Sequence, residues 1–305
     1  MIGSAIAAAA LLAAVSPALS GVAVKTRAVL TGRRGAPVLQ LYRDLWKLLR
    51  KDTLYSTATG WVFRAGPVAL LVSTVAAATF LPLDGRNAVA DFPGDLLAFA
   101  GLLALGRFSL VLASLDTGSS FEGMGSSREV FIASFAEPVL FLCLIALVVA
   151  TGEQSLSGVL GASLSAAWAR AAAPLVLVGI SLFVLLLAEN ARVPVDDPAT
   201  HLELTMIHEV MALDHGGPDL ALIQLGSALK LGLFAALLIG VLVPRADLGM
   251  TASAITLLVG VALVAVAVGV VESVMARLRL TRVPQLLVGA GALALFALIL
   301  LLRVR

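Results

Sequence analysis

The sequence predicts an all-α, polytopic transmembrane bundle of about eight helices with one interfacial amphipathic helix. Three observations predict it. The 305-residue chain is 60% hydrophobic and has a mean hydropathy of +1.04. Only 13% of its residues are charged, against about 25% in a soluble domain, so the chain is not solvated on all sides. Apolar runs of about 20 residues, the length a helix needs to cross a bilayer, recur throughout and lack the period-2 alternation of barrel strands.

The first run, Ile2–Val24, has no positive residues before it; Lys25 and Arg27 follow it instead. That order reads as an uncleaved first span with its N-terminus outside, not as a signal peptide. The stretch "TGRRGAP" then marks a turn. In "VLQLYRDLWKLLRK", Val38–Lys51, the apolar Val38, Leu41, Tyr42, Leu45, Leu48 and Leu49 follow helical spacing, with Arg43, Asp44, Lys47, Arg50 and Lys51 opposite. This segment is too short and too charged to span. It is expected to lie in the interface on anionic lipid, with Tyr42 and Trp46 at headgroup level. Lining an access route or docking a partner is its alternative role.

The later spans are expected at Ala65–Leu83, Asp95–Leu115, Phe131–Thr151, Ala171–Glu189, Ala221–Val243, Thr251–Val274 and Pro284–Leu302. Their loops on one side run over about residues 25–64, 116–130, 190–220 and 275–283, and one integral membrane domain accounts for 1–305. Most of the 21 Lys and Arg residues fall in those loops, among them Arg33, Arg34, Arg128, Arg192, Arg277 and Arg279. The other side and the chain end hold only Arg86, Arg170, Arg245, Arg303 and Arg305. Excess Lys and Arg mark the cytoplasmic face, so both termini are expected outside.

Several functions are excluded. The single cysteine, Cys143, cannot form an internal disulfide, and an iron–sulfur cluster usually takes four thiolates. No haem motif, no G-x-G-x-x-G and no P-loop is present, so redox chemistry belongs to a partner. Nothing points to nucleic acid; the lipid bilayer is the first expected partner.

Arg107, Glu137 and Lys230 fall inside spans, where a charge costs about 2.5–3.5 kcal/mol and normally either pairs or conducts. At about 1.5 Å per residue, Glu137 lies roughly 9 Å, Arg107 roughly 12 Å and Lys230 roughly 14 Å from the loop side, with Glu189 and Glu272 near that surface. The outer halves of the spans hold no Asp, Glu, His, Lys or Arg away from their edges. A proton or ion path from the loop side is therefore expected to reach mid-membrane and turn sideways into a neighbouring subunit. A satisfied Arg107–Glu137 pair with no further role is the alternative.

The most polar stretch, "AENARVPVDDPATHLELTMIHEVMALDHGGPDL", holds all three histidines. H-E-x-x-H fails because Ala212 stands where the second histidine is needed, and no serine or thiol supports hydrolysis. Pro194, Pro198 and Pro218 argue for a shaped connector containing a short helix.

Its first half, "AENARVPVDDPATHLEL", resembles the loop between spans five and six of the H-subunit (subunit 1) family of respiratory complex I. Glu189, Asn190, Arg192, Pro194, Asp196, Pro198, Glu203 and Leu204 fall on that pattern. "GSSREVFIASFAEP" is similar to the family segment in which an Arg precedes a Glu by nine residues, here Arg128 and Glu137; "GRRGAP" and "RLR" match two more loops. Where quinone-reducing members carry two loop acids, this chain has Ala199 and His201, and Glu272 stands where an Arg is usual. "RVPVDDPATHLELTMIHEV" and "LDTGSSFEGMGSSRE" look instead like the membrane subunit of formate hydrogenlyase and membrane-bound [NiFe]-hydrogenases.

The resemblance implies the fold of the complex I H-subunit in a prokaryotic cytoplasmic membrane. It implies a non-catalytic subunit that docks hydrogenase large and small (iron–sulfur) subunits on the cytoplasmic side and adjoins antiporter-like membrane subunits. The NiFe centre and iron–sulfur clusters would sit in those partners and no cofactor in this chain; the altered loop acids count against a quinone. Glu137, Glu189, Asp196, Glu203 and Glu272 become the candidate proton path, Arg107 and Lys230 their charge partners. Arg33, Arg34, Arg128, Arg192, Arg277 and Arg279 become the candidate partner interface. A quinone-reducing subunit, a stand-alone ion transporter and a purely structural anchor are the alternatives.

Overall fold

The computed structural model describes residues 2–85, 88–196 and 206–304. Among them, eight helices are long and apolar enough to cross a membrane and no strand occurs, so the chain is an all-helical multi-pass membrane protein. The crossing helices are α1 (Ile2–Leu30), α3 (Trp61–Ala78), α4 (Asp95–Asp116), α5 (Ser120–Thr151), α7 (Ala162–Glu189), α8 (Gly217–Leu242), α9 (Met250–Val274) and α10 (Val283–Val304). The amphipathic α2 (Gln40–Leu49) buries no residue of its own, and α6 (Leu156–Val159) is a single turn.

Contacts between loops sort the helix ends into two layers. At one end Asp116 Oδ2 accepts the Gly60 N–H at 2.6 Å, and Glu122 Oε1 accepts the Asp214 N–H at 3.1 Å. The Leu278 N–H reaches the Pro194 carbonyl at 2.8 Å in the same layer. At the other end Ser4 meets Asp84, Leu156 N–H meets Asp95, and Arg245 donates to Leu83 O and Pro82 O. Successive long helices therefore alternate in direction, and the loops rich in Lys and Arg share one end, called here the basic side.

Helix α8 is the axis, packing against α1, α2, α3, α7 and α9, while α10 packs on α5 and α7. Lipid gives no hydrophobic drive between helices, so close backbone approach through small residues does that work. The α3–α4 pair shows it: a Cβ at Gly66 would collide with that of Ala113, and one at Gly106 would sit 2.6 Å from Ser73 Oγ. Outward faces stay apolar for lipid, as at Ile255, Val259 and Leu263 of α9.

Several expected boundaries shift: α1 runs on to Leu30 past Val24, α3 begins at Trp61 and α8 at Gly217, and three further shifts have local causes. Helix α5 begins at Ser120 and absorbs most of the expected loop 116–130, because Ser126 and Ser127 bond back to Glu122 O and Met124 O. Gly125 also packs there against Ile207 and Val210. Gly152, in the left-handed region at φ 80°, ends α5 with its N–H on Val148 O. Helix α7 begins at Ala162, not Ala171, which is instead a kink (φ −145°, ψ 53°); Pro174 supplies no N–H to the preceding turn. Helix α3 ends at Ala78, before the expected Leu83, because residues 81–84 form a buried turn held by Arg245.

Candidate functional site

The start of the polar stretch is stitched to the α9–α10 connection. Arg192 Nη1 lies 3.3 Å from Glu272 Oε1, and Arg277 Nη2 lies 3.0 Å from Asp196 Oδ1. Asp196 Oδ2 also accepts the Ile207 N–H at 2.9 Å. With Leu278 N–H on Pro194 O, these bonds fix the loop at both ends of its described part. Expected near the surface, Glu272 is 1% exposed, because the loop folds over it.

Residues 206–216 carry one short 3-10 helix, Val210–Ala212. They are held from several sides: Arg128 donates to Met206 O at 3.1 Å, and Glu122, in a buried position, holds the Asp214 N–H. His208 Nε2 is 2.9 Å from Ser227 Oγ on α8. His215 stacks on Phe63 with ring centroids 3.9 Å apart and planes 8° from parallel. The two histidines thus meet different partners. Burial pushes both imidazoles down from about 6.5 to about 4, reinforced at His208 by the Lys230 ammonium; both stay neutral at pH 7.

Beneath this loop lies a cavity of about 640 Å³. Leu41 of α2, Leu70 of α3, Met211, Leu220, Ile223 and Leu231 supply apolar wall; Arg107, Glu129, Glu189, Asn190, His208, His215, Gln224 and Lys230 supply the polar groups. Asn190 Oδ1, Gln224 Oε1 and both ring nitrogens of His215 are buried and have no hydrogen-bond partner among the described residues. Buried polar atoms are normally satisfied, so this wall suits water or a ligand with polar ends.

One wall of the chamber is an ion-pair network. Arg107, at 8% exposure, donates through Nη2 to both oxygens of Glu189 at 2.7 and 2.6 Å, and through Nη1 to Glu137 at 2.8 Å. Lys230 Nζ lies 2.8 Å from Glu189 Oε2, and Arg107 Nε lies 3.6 Å from Glu129 Oε1. Four helices, α4, α5, α7 and α8, contribute. One guanidinium nitrogen, Nη2, serves both Glu189 oxygens while Nη1 serves Glu137, so the planar guanidinium holds the two acids at once through charge-assisted bonds. Glu189, expected near the surface, is 2% exposed, whereas the Glu137 side chain, on the flank of the bundle, is 43% exposed.

The structure thus joins Arg107, Lys230, Glu137 and Glu189 in one network and puts Asp196 and Glu272 in separate ion pairs beside it. Glu203 lies outside the described residues, as do Pro198, Ala199, His201 and Leu204. Of the expected interface cations, Arg33, Arg34 and Arg279 are exposed, while Arg128, Arg192 and Arg277 are partly buried in the bonds above. Sequence reasoning misses Glu129 and Glu122, because both stand in an expected loop. Their spacing of 8 and 15 residues before Glu137, about two and four helical turns, is the signal available. Among the described residues no group of three His, Cys, Asp or Glu is placed to hold a metal ion.

Eight alternating helices, a loop-capped chamber and a charged seam beside it define a polytopic subunit of the complex I membrane-arm class. Residues 2–302 match the family described as NADH dehydrogenase, and the chain belongs to it, the complex I subunit 1/H family. It is 32% identical over 298 residues to formate hydrogenlyase subunit 4 of Escherichia coli K12, covering 95% of each chain. It is also 32% identical to hydrogenase-4 component C of the same organism, over 79% of this chain and 75% of that one. The fold matches a chain in a structure of the membrane-bound sulfane sulfur reductase, an archaeal respiratory membrane complex. That match has TM-score 0.81, 20% identity and 98% coverage of both chains. The chain is accordingly a membrane subunit of a formate hydrogenlyase/hydrogenase-4 or complex I-like respiratory complex.

Proposed function

We propose that this chain anchors the soluble redox arm of a membrane-bound [NiFe]-hydrogenase or formate hydrogenlyase-like complex and opens a proton or ion path into adjoining antiporter-like subunits. Its basic side faces the prokaryotic cytoplasm with both termini outside, and 1–305 acts as one membrane domain. The single observation that carries the reading is Arg107. It bonds Glu189 at the chamber wall and Glu137 on the bundle flank, so two acids in different surroundings share one cation. A change of charge near the chamber alters the hold of Arg107 on Glu189 and hence on Glu137. Electron transfer belongs to nickel, iron and iron–sulfur groups in the partners; this chain's residues hold and hand on protons.

The stitched loop forms a firm platform, with Arg128, Arg192 and Arg277 bracing it from within and Arg33, Arg34 and Arg279 presenting positive charge to the docked arm. Asp196 and Glu272 bring carboxylates to the approach; Glu203 is a further candidate for the path from the sequence. The test is Glu137→Gln in the assembled complex in sealed vesicles, with proton movement and hydrogen turnover followed together. The reading expects fewer protons moved per electron pair, or loss of both activities. An unaltered rate and ratio would reduce the chain to a structural anchor.

The cavity itself favours a second reading. About 640 Å³ of mostly apolar space with polar atoms in its wall fits a quinone headgroup. Photolabelling of Leu41 or His208 by a quinone analogue, competed by quinone, would support that reading.

A further inference from the structure

Charge counting on the network yields a residue role that the family resemblance does not supply. The seam contains two cations, Arg107 and Lys230, and three carboxyls, Glu129, Glu137 and Glu189. The neighbouring pairs Arg192–Glu272 and Arg277–Asp196 are each balanced. Among the described residues one carboxyl in the seam therefore has no matching cation, and an unmatched carboxylate held away from bulk water takes up a proton more readily than a paired one.

Geometry selects which one. Glu189 receives two bonds from Arg107 and lies 2.8 Å from Lys230. Glu137 receives one bond at 2.8 Å and is 43% exposed. Glu129 makes no hydrogen bond among the described residues; its nearest cation atom, Arg107 Nε, is 3.6 Å away. That Nε is itself buried, in a side chain only 8% exposed, and has no hydrogen-bond partner among the described residues. Glu129 also lines the chamber, and its side chain is 13% exposed. Facing it are Arg107 from α4, Glu189 from α7 and Lys230 from α8, with Arg192, neutral His208 and Glu209 further round the chamber wall.

We propose that Glu129 is the network's proton-loading site, holding one exchangeable proton taken from the chamber. Loading converts the carboxylate to the neutral acid and slackens its pull on Arg107. Release, to chamber water or onward through Glu189, restores a carboxylate that draws Arg107 Nε to itself and away from Glu137. The proton's affinity belongs to the coupled cluster; its seat is Glu129. This rests on the proton-path reading above.

Infrared pH-difference spectra of the whole complex in lipid vesicles test it. A protonated-carboxyl stretch is expected at neutral pH that is shifted in frequency by Glu129→Asp but not by Glu137→Asp or Glu189→Asp, and is absent in the isosteric Glu129→Gln. Lys230→Met, which removes a cation, is expected to add a second such band. Absence of the band from the unaltered complex, or its displacement by Glu137→Asp instead, overturns the assignment. Proton movement measured in the same vesicles separates the two claims. If the band sits on Glu129 while Glu129→Gln moves protons normally, the proton-path reading falls and the proton site stands. If the band is missing while Glu189→Gln stops proton movement, the loading site falls alone.

Discussion

Replacing Arg107 by methionine tests the network most sharply. Methionine fills much of the same volume and removes the bonds to Glu189 at 2.7 and 2.6 Å and to Glu137 at 2.8 Å. Breaking a buried pair from one side costs about 3–5 kcal/mol, because the other charge is left uncompensated. Lys230 still sits 2.8 Å from Glu189, which keeps the expected loss near the lower bound, about 3 kcal/mol. Glu137 is 43% exposed, so its pair adds at most about 1 kcal/mol. Equilibrium unfolding in mixed micelles of Arg107→Met, Glu189→Gln and the double variant gives the coupling directly. The expected Arg107–Glu189 coupling is about 2–3 kcal/mol, and the parallel cycle with Glu137→Gln should stay below about 1 kcal/mol. Additive single effects at Arg107 and Glu189, within about 0.5 kcal/mol, would refute the reasoning.

Three further outcomes follow from the geometry. Burial holds His208 and His215 at about 4 in the folded chain, below their usual value of about 6.5. The unfolded chain then binds more protons between those values, so stability should be full above pH 6.5 and fall as pH drops toward 4; His215→Phe should flatten part of that slope in melting curves. Arg192→Glu sets two carboxylates together and should lower the melting temperature, whereas Arg192→Glu with Glu272→Arg should restore most of the loss if the 3.3 Å pair is the cause. Gly66→Leu forces a side chain into Ala113 and should weaken the α3–α4 pair, read as a lower melting temperature and faster proteolysis of that hairpin.

Much of the fold is legible in the sequence because bilayer thickness imposes a length on each apolar run, and a run of that length is visible without any tertiary information. What hydropathy hides are polar helix ends. The first turns of α5 read as loop since Gly123, Gly125, Ser126 and Ser127 are poor helix formers. Only packing against residues 207–211 and serine bonding to the preceding turn make them helical. The kink at Ala171 reads as a beginning because proline at 174 marks a boundary in either case.

The site is legible in part. Depth alone singles out Arg107, Glu137 and Lys230, because a charge inside an apolar run is conspicuous. Depth does not reveal that Glu189, at the last residue of α7, turns under a folded loop to meet both cations. Glu129 carries no such mark: its neighbours Ser127 and Arg128 make it look like one more solvated loop acid. The chamber is invisible for a different reason, since it is bounded by residues from α1 to α8 whose adjacency no local pattern encodes.

The central claim is that an acid at the chamber wall and an acid on the flank are linked through one guanidinium. Its most direct measurement is the number of protons moved per electron pair by the assembled complex in sealed vesicles carrying Arg107→Lys. Lysine keeps the charge but lacks the two nitrogens through which the guanidinium serves Glu189 and Glu137 separately, so the ratio should fall well below that of the unaltered complex while assembly persists. A ratio equal to the unaltered one would contradict the account.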